Sequence, residues 1–174
     1  MKKLNFMSFA LVAMVFLTAS LANAQTTNIV EAAAASEDHT TLVAAVKAAD
    51  LVGVLTGEGP FTVFAPTNAA FDALPEGTVP TLLKPENKAA LTGVLTYHVI
   101  AGKFNAKDVI GLINKNDGKA TVATVAGAEL TLSLKDGKVM VTDANGNSAT
   151  VIAADLNQTN GVIHVIDTVL LPKM

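Results

Sequence analysis

A chain of 174 residues, 51% of them hydrophobic, is long enough to bury one full core and too short to require a second. Its lack of cysteine excludes disulfides, thiol catalysis and thiolate metal sites. Twelve lysines without a single arginine, against 15 carboxylates and a net charge of −3, argue against nucleic acid or anionic lipid as partners, which arginine usually reads.

Residues 1–24 read as a secretory signal. Lys2 and Lys3 precede an apolar run from Phe6 to Leu17, and Ala22-Asn23-Ala24 supplies the small residues of a cleavage site. The run is too short to span a bilayer comfortably, which takes about 20 apolar residues. The expected mature chain, 25–174, is a single domain with no transmembrane anchor. It holds 10 lysines and all 15 carboxylates, a formal net charge of −5. Secretion or a periplasmic location follows, with association at the cell surface as its extension.

The mature chain opens with helical signals. Asn28 to Ala35 forms one expected helix with Thr27 as its cap. Thr40 or Thr41 caps a second, whose apolar stripe runs through Leu42, Val43 and Val46 to Leu51, Val54 and Leu55. Gly57-Glu58-Gly59-Pro60 breaks that pattern, and Phe61–Ala65 reads as a buried strand. Pro66 ends it and Thr67 caps a short helix over Asn68 to Leu74. Pro80 and Pro85 sit in first-turn positions, the second opening a helix towards Tyr97. Asn105 caps another through Val109, Ile110, Leu112 and Ile113.

From Thr121 the pattern turns to strands, at Val122–Val125, Leu130–Leu134, Val139–Thr142 and Thr150–Ala153. Ala126-Gly127, Asp136-Gly137 and Asn145-Gly146 separate them, the last two being dipeptides of tight hairpins with positive φ at both residues. Val162–Leu171 is apolar enough for a strand buried on both faces. Helices followed by an antiparallel meander imply an α+β fold or a sandwich with helical flanks.

Searches for chemistry fail. There is no phosphate-binding glycine loop and no pair of carboxylates placed for acid–base work, so no enzyme and no cofactor is expected. Asp143, Asn145 and Asn147 have calcium-loop spacing, but Ser148 and Ala154 stand where such a loop needs glycine and glutamate, so no metal is expected. His39 reads as solvated at a helix start. His98 and His164 lie in apolar surroundings and read as core histidines bonded to backbone or amide groups.

Three segments together resemble the fasciclin domain family. They are Phe61-Thr62-Val63-Phe64-Ala65-Pro66-Thr67-Asn68-Ala69-Ala70-Phe71, the pair Tyr97-His98, and Thr159-Asn160-Gly161-Val162-Ile163-His164-Val165-Ile166-Asp167 with Val169-Leu170-Leu171-Pro172. The resemblance implies a wedge of two steeply packed β-sheets with a helical flank. It also implies a non-catalytic adhesion or protein-interaction module whose partner is a cell-surface or matrix protein, or a second copy. Some members carry an apolar small molecule such as a carotenoid, which is the alternative function. In some animal members an Asp-Ile dipeptide before the second signature and the Tyr-His region serve integrin binding. The matching positions here are Asp155-Leu156 and Tyr97-His98, with Ala154 in place of the expected basic residue. Read from the residues alone, Tyr97 and His98 are a buried phenol and imidazole satisfied by each other or by the backbone.

Overall fold

The computed structural model describes residues 26–173, so the expected signal segment lies outside the described residues. The apolar run Phe61–Pro66 forms strand β1 and the run Gly161–Ile166 forms the last strand, β7. They lie side by side and parallel, Phe61 opposite Gly161 and Pro66 opposite Ile166. Both are buried on both faces, which explains why neither alternates with polar residues. The close approach begins at Gly161, where any Cβ would collide with the Phe61 carbonyl and the Ile29 side chain. This glycine is therefore selected by space rather than by backbone conformation, since its φ is not positive.

Around this pair the sheet grows in both directions. Val99–Ala101 (β2) flanks β1 antiparallel. On the far side run Lys119–Ala123 (β3), Glu129–Lys135 (β4), Lys138–Thr142 (β5) and Ser148–Gln158 (β6), giving the order β2-β1-β7-β6-β5-β4-β3. The two expected sheets are thus the halves of one ladder, joined through β6. Residues 148–150 of β6 pair with β5, and residues 151–158 pair with β7. The handover has two register shifts and leaves Asp155 at φ 58°, a conformation that Asp tolerates better than most residues. The sheet curls until its ends meet, the Val125 N–H donating to the Val99 carbonyl at 2.8 Å.

The two faces of β1 and β7 bury different cores. Val63, Ala65, Ile163 and Val165 face the helical layer, against Ile29, Leu42, Val46, Leu91 and Leu95. Phe64 and Ile166 point the other way, into the curled sheet with Tyr97, Leu130, Leu132 and Val141. The helical layer consists of Ile29–Ala34 (α1), Thr40–Ala48 (α2), Val52–Leu55 (α3), Asn68–Asp72 (α4), Thr78–Leu82 (α5) and Lys88–Tyr97 (α6). Ala106–Lys115 (α7) packs Val109 and Ile113 into the second core.

Local signals account for most helix ends. The Thr67 hydroxyl accepts from the Ala70 N–H, as the Pro66-Thr67 stop implies. The cap of α1 is Asn28, one residue later than expected, because Glu31 can reach back to the Asn28 N–H and complete a capping box. Thr27 instead pins the β6–β7 turn, its hydroxyl donating to Gln158 and its carbonyl accepting from the Thr159 N–H. The long second helix breaks after Ala48. Asp50 adopts φ 57°, and the continued stripe fails at Val54, which is 51% exposed. His39 is buried rather than solvated, since the short 3-10 turn Glu37–His39 tucks its ring inward and its Nδ1 meets the Ser36 hydroxyl at 2.8 Å. Asp136-Gly137 forms the expected hairpin with positive φ at both positions. Asn145-Gly146 does not: only Gly146 has positive φ, within a longer loop organised by Asp143. The last strand stops at Ile166 rather than Leu171.

Candidate functional site

Tyr97 ends α6 and is fully buried. Its hydroxyl donates to the Glu129 carbonyl at 3.1 Å and accepts from the Ala144 N–H at 3.0 Å. Burial raises the phenol above its ordinary pKa. His98 follows and is equally buried. Its Nδ1–H donates to the Val94 carbonyl at 2.7 Å, and its Nε2 accepts from the Leu170 N–H at 3.0 Å. These two bonds require the neutral ring with its proton on Nδ1. Desolvation pushes the imidazole down to about 4. Tyr97 and His98 are therefore satisfied by the backbone, not by each other. Together they tie α6 to β4, to the loop after β5 and to the C-terminal segment.

Asp143 completes this knot. It is buried, and its carboxylate accepts from the Asn145 and Asn147 N–H groups, the Asn147 amide and the Leu171 N–H, at 2.8 to 3.1 Å. Both of its oxygens are directed at donors of its own loop and of the C-terminal segment. Asn147 turns its amide nitrogen towards Asp143, and Asn145 turns its own to the Leu171 carbonyl. The calcium-like spacing thus serves loop closure. His164 plays a comparable part on β7: its Nε2 meets the Phe104 carbonyl at 2.7 Å, and its ring leans on Phe64 with centroids 5.8 Å apart.

Asp155 and Leu156 occupy a different environment. From Ile152 to Leu156 every residue of β6 is exposed, including Ile152 at 54% and Leu156 at 42%. Among the described residues this part of β6 pairs only with β7, because the β5–β6 ladder ends at Met140 and Thr150. No strand covers its outer edge, where the Asp155 carbonyl accepts from the Asn157 side-chain amide at 2.9 Å. Asp155 anchors the segment: its Oδ1 accepts from the Ala106 N–H at the start of α7 at 2.6 Å, and its own N–H reaches His164 Nδ1 at 3.4 Å. A carboxylate there also favours the helix dipole. The four sequence-selected residues do not form one cluster. Tyr97 and His98 lie inside the fold, and Asp155 and Leu156 lie on a solvent-facing strip. The sequence reading did not single out Ile152, the second large apolar residue of that strip. The apolar run Val151-Ile152-Ala153-Ala154 gave no sign of exposure, since such a run reads equally as a buried strand.

Between α1, α2 and the β1–β7 face lies a partly open apolar cleft bounded by Ile29, Val46, Leu55, Val63, Leu95 and Val99. Its free volume is near 30 Å³, room for about two water molecules. Among the described residues, no group of three His, Asp or Glu side chains could hold a metal, and no helix is long and apolar enough to cross a membrane.

Comparison with known proteins adds four findings. The family model of the Fasciclin domain matches residues 37–172. Protein sll1483 of Synechocystis sp. is 58% identical over 146 residues, covering 84% of this chain and 74% of that one. The cell surface glycolipoprotein MPB83 of Mycobacterium bovis is 40% identical over 123 residues, covering 71% of this chain and 48% of that one. Among solved structures, a FAS1 domain pair from the insect cell adhesion molecule fasciclin I superposes with a TM-score of 0.75 at 18% identity. It covers 84% of this chain and 51% of its own, so the likeness there is one of fold.

Proposed function

The chain belongs to the fasciclin domain family, and from that premise we propose that it is an exported, non-enzymatic adhesion module whose contact surface is the Ile152–Leu156 strip of β6. The observation that carries this reading is the exposure of two large apolar side chains beside an unpaired strand edge. Such an edge offers N–H and C=O groups to a partner strand, and flanking apolar side chains add contact area. Leu156 is the anchor and Ile152 its neighbour four residues away, while Asp155 holds the strip in shape and presents its second oxygen to the partner. Tyr97 and His98 support binding indirectly, by fixing the core behind β6. The partner is a cell-surface or matrix protein, or a second copy. Relatives whose names place them at a cell surface or in cell adhesion support the assignment and an extracytoplasmic location.

The test is retention of the purified mature domain on envelope preparations of its own host, comparing wild type with Leu156→Asp and Ile152→Asp. Both positions are exposed, so stability should change by no more than about 0.5 kcal/mol. Retention should fall in both. Wild-type retention equal to that of an unrelated acidic protein of the same size would refute adhesion; undiminished retention of the variants would refute the strip.

The apolar cleft beside α1 favours a second reading, carriage of an apolar small molecule such as a carotenoid. Ligand pockets of that kind need about 300 Å³ or more, so a pigment would have to lift the six-residue α1 away from the sheet. The visible spectrum and solvent extract of protein purified from its own host test it, and colourless, lipid-free protein eliminates it.

A further inference from the structure

We propose that a second surface, a trough along α7, binds an acidic polysaccharide. Lys103, Lys107 and Lys115 are exposed along it, and none of them is in an ion pair among the described residues. Lys107 and Lys115 stand eight residues apart on one helix, about 12 Å along its axis and about 80° apart around it, and both line the trough. Gly111 lies midway between them. A Cβ there would meet nothing, and its φ is not positive, so neither packing nor backbone conformation in this chain demands a glycine. Its effect is to leave the middle of the trough bare, where a chain can pass close to the helix. Half-buried Phe104 and Leu112 supply an apolar floor, of the kind on which the C–H faces of sugar rings rest. The open groove measures about 500 Å³.

A second groove of about the same volume shares Lys103 with the first. It is lined by Thr56, Gln158 and Thr159 and by the backbone of Gly57 and Gly59, a surface of hydroxyl, amide and peptide groups. Lys103 borders both, with the other cations on one side of it and the hydroxyl and amide groups on the other. Lysine is a compact point charge that suits an isolated carboxylate or sulfate. The forked arginine that grips phosphate is absent from the chain. A linear sugar chain bearing spaced carboxylates or sulfates matches both halves.

The acidic groups are Asp108, which lines the trough itself, Asp117, two residues beyond Lys115, and Asp155 and Glu58 nearby. Asp108 is bonded to the Asn105 N–H and Asp155 to the Ala106 N–H, while Glu58 sits in the far groove, away from the Lys107–Lys115 stretch. Because the mature domain carries a net charge of −5, a polyanion is repelled at long range and held only by these local contacts. Binding is therefore weak and falls steeply with salt.

The experiment uses the full mature domain at low ionic strength, with alginate as the uronate probe, uncharged dextran as control and DNA as a competing polyanion. Alginate should bind and dextran should not. Lys107→Gln combined with Lys115→Gln should weaken alginate binding about tenfold, with the melting temperature unchanged because both side chains are exposed. Lys135→Gln with Lys138→Gln, at the β4–β5 hairpin, should leave binding intact. Absence of alginate binding, equal loss in the two lysine pairs, or equal affinity for DNA would each overturn the proposal. Leu156→Asp should leave alginate binding unchanged, so failure of the adhesion reading and failure of this one are separately visible.

Discussion

Acidification tests the interior of the fold most directly, through His98. The folded state holds this ring neutral, with its Nε2 accepting from the Leu170 N–H, and its pKa is pushed down to about 4 from an unfolded value of 6.5. Between those values the unfolded chain binds the proton and the native chain does not. The stabilising contribution is therefore complete above pH 6.5, is lost as the pH falls towards 4, and changes no further below it. A difference of about 2.5 units corresponds to about 3 kcal/mol, a large share of the 5–15 kcal/mol that typically separates folded from unfolded domains. His39, whose pKa burial also lowers, adds to the same slope. The assay is urea unfolding at a series of pH values for wild type and His98→Gln, with the imidazole resonances followed by NMR. The variant is less stable at pH 7, and its stability falls less steeply between pH 6.5 and 4. The reasoning is refuted if the two slopes coincide, or if the His98 resonance titrates near 6.5.

Substitutions at four positions probe other parts of the structure. Asp143→Ala abandons four N–H donors of the loop and the C-terminal segment, and should cost about 3 kcal/mol by thermal or urea unfolding. Tyr97→Phe keeps the ring but strands the Ala144 N–H and the Glu129 carbonyl, for a loss of about 1–2 kcal/mol in the same assay. Gly111→Ala should stabilise the domain by up to about 1 kcal/mol, since a helix-interior glycine with open space above it has only its flexibility to lose. Asp155→Ala removes the carboxylate from the start of α7 and puts a Cβ at φ 58° without side-chain support. It should destabilise by about 2 kcal/mol, and Asp155→Gly by less because the backbone conformation is then unstrained.

The features legible in the sequence are those whose cause lies within a few residues. Strands β1 and β7 announce themselves as apolar runs, Thr67 caps α4 from its own side chain, and Asp136-Gly137 turns a hairpin by its own φ preferences. Where the cause is distant, local reading fails. The three residues of β2 are a strand because Phe61–Val63 lies beside them. His39 is buried by a helical layer assembled from segments 30 residues apart, in which Asn68 reaches back to the Glu37 carbonyl. Asn145-Gly146 has the composition of a two-residue hairpin, but Asp143 accepts from both Asn145 and Asn147 and holds the loop wider.

The same division explains why the candidate site was only half readable. Tyr97 and His98 stand out in the sequence because a phenol and an imidazole are conspicuous in an apolar stretch, yet that conspicuousness reflects structural work: each of their polar side-chain atoms meets a backbone group, and all but the Val94 carbonyl come from outside α6. A partner could reach those atoms only by dismantling the second core. Ile152 and Leu156 carry no such signal, since exposed apolar residues look in sequence like buried ones. Their exposure is created by the handover of β6 from β5 to β7, which leaves one strand edge uncovered and turns five consecutive residues to solvent. The register shifts and the left-handed Asp155 that make this corner depend on β7 and on the start of α7, the latter 49 residues away in the chain. The residues that identify the fold are therefore the ones withdrawn from contact, and the two surfaces proposed for recognition, the β6 corner and the lysine trough, lie where sequence alone says least.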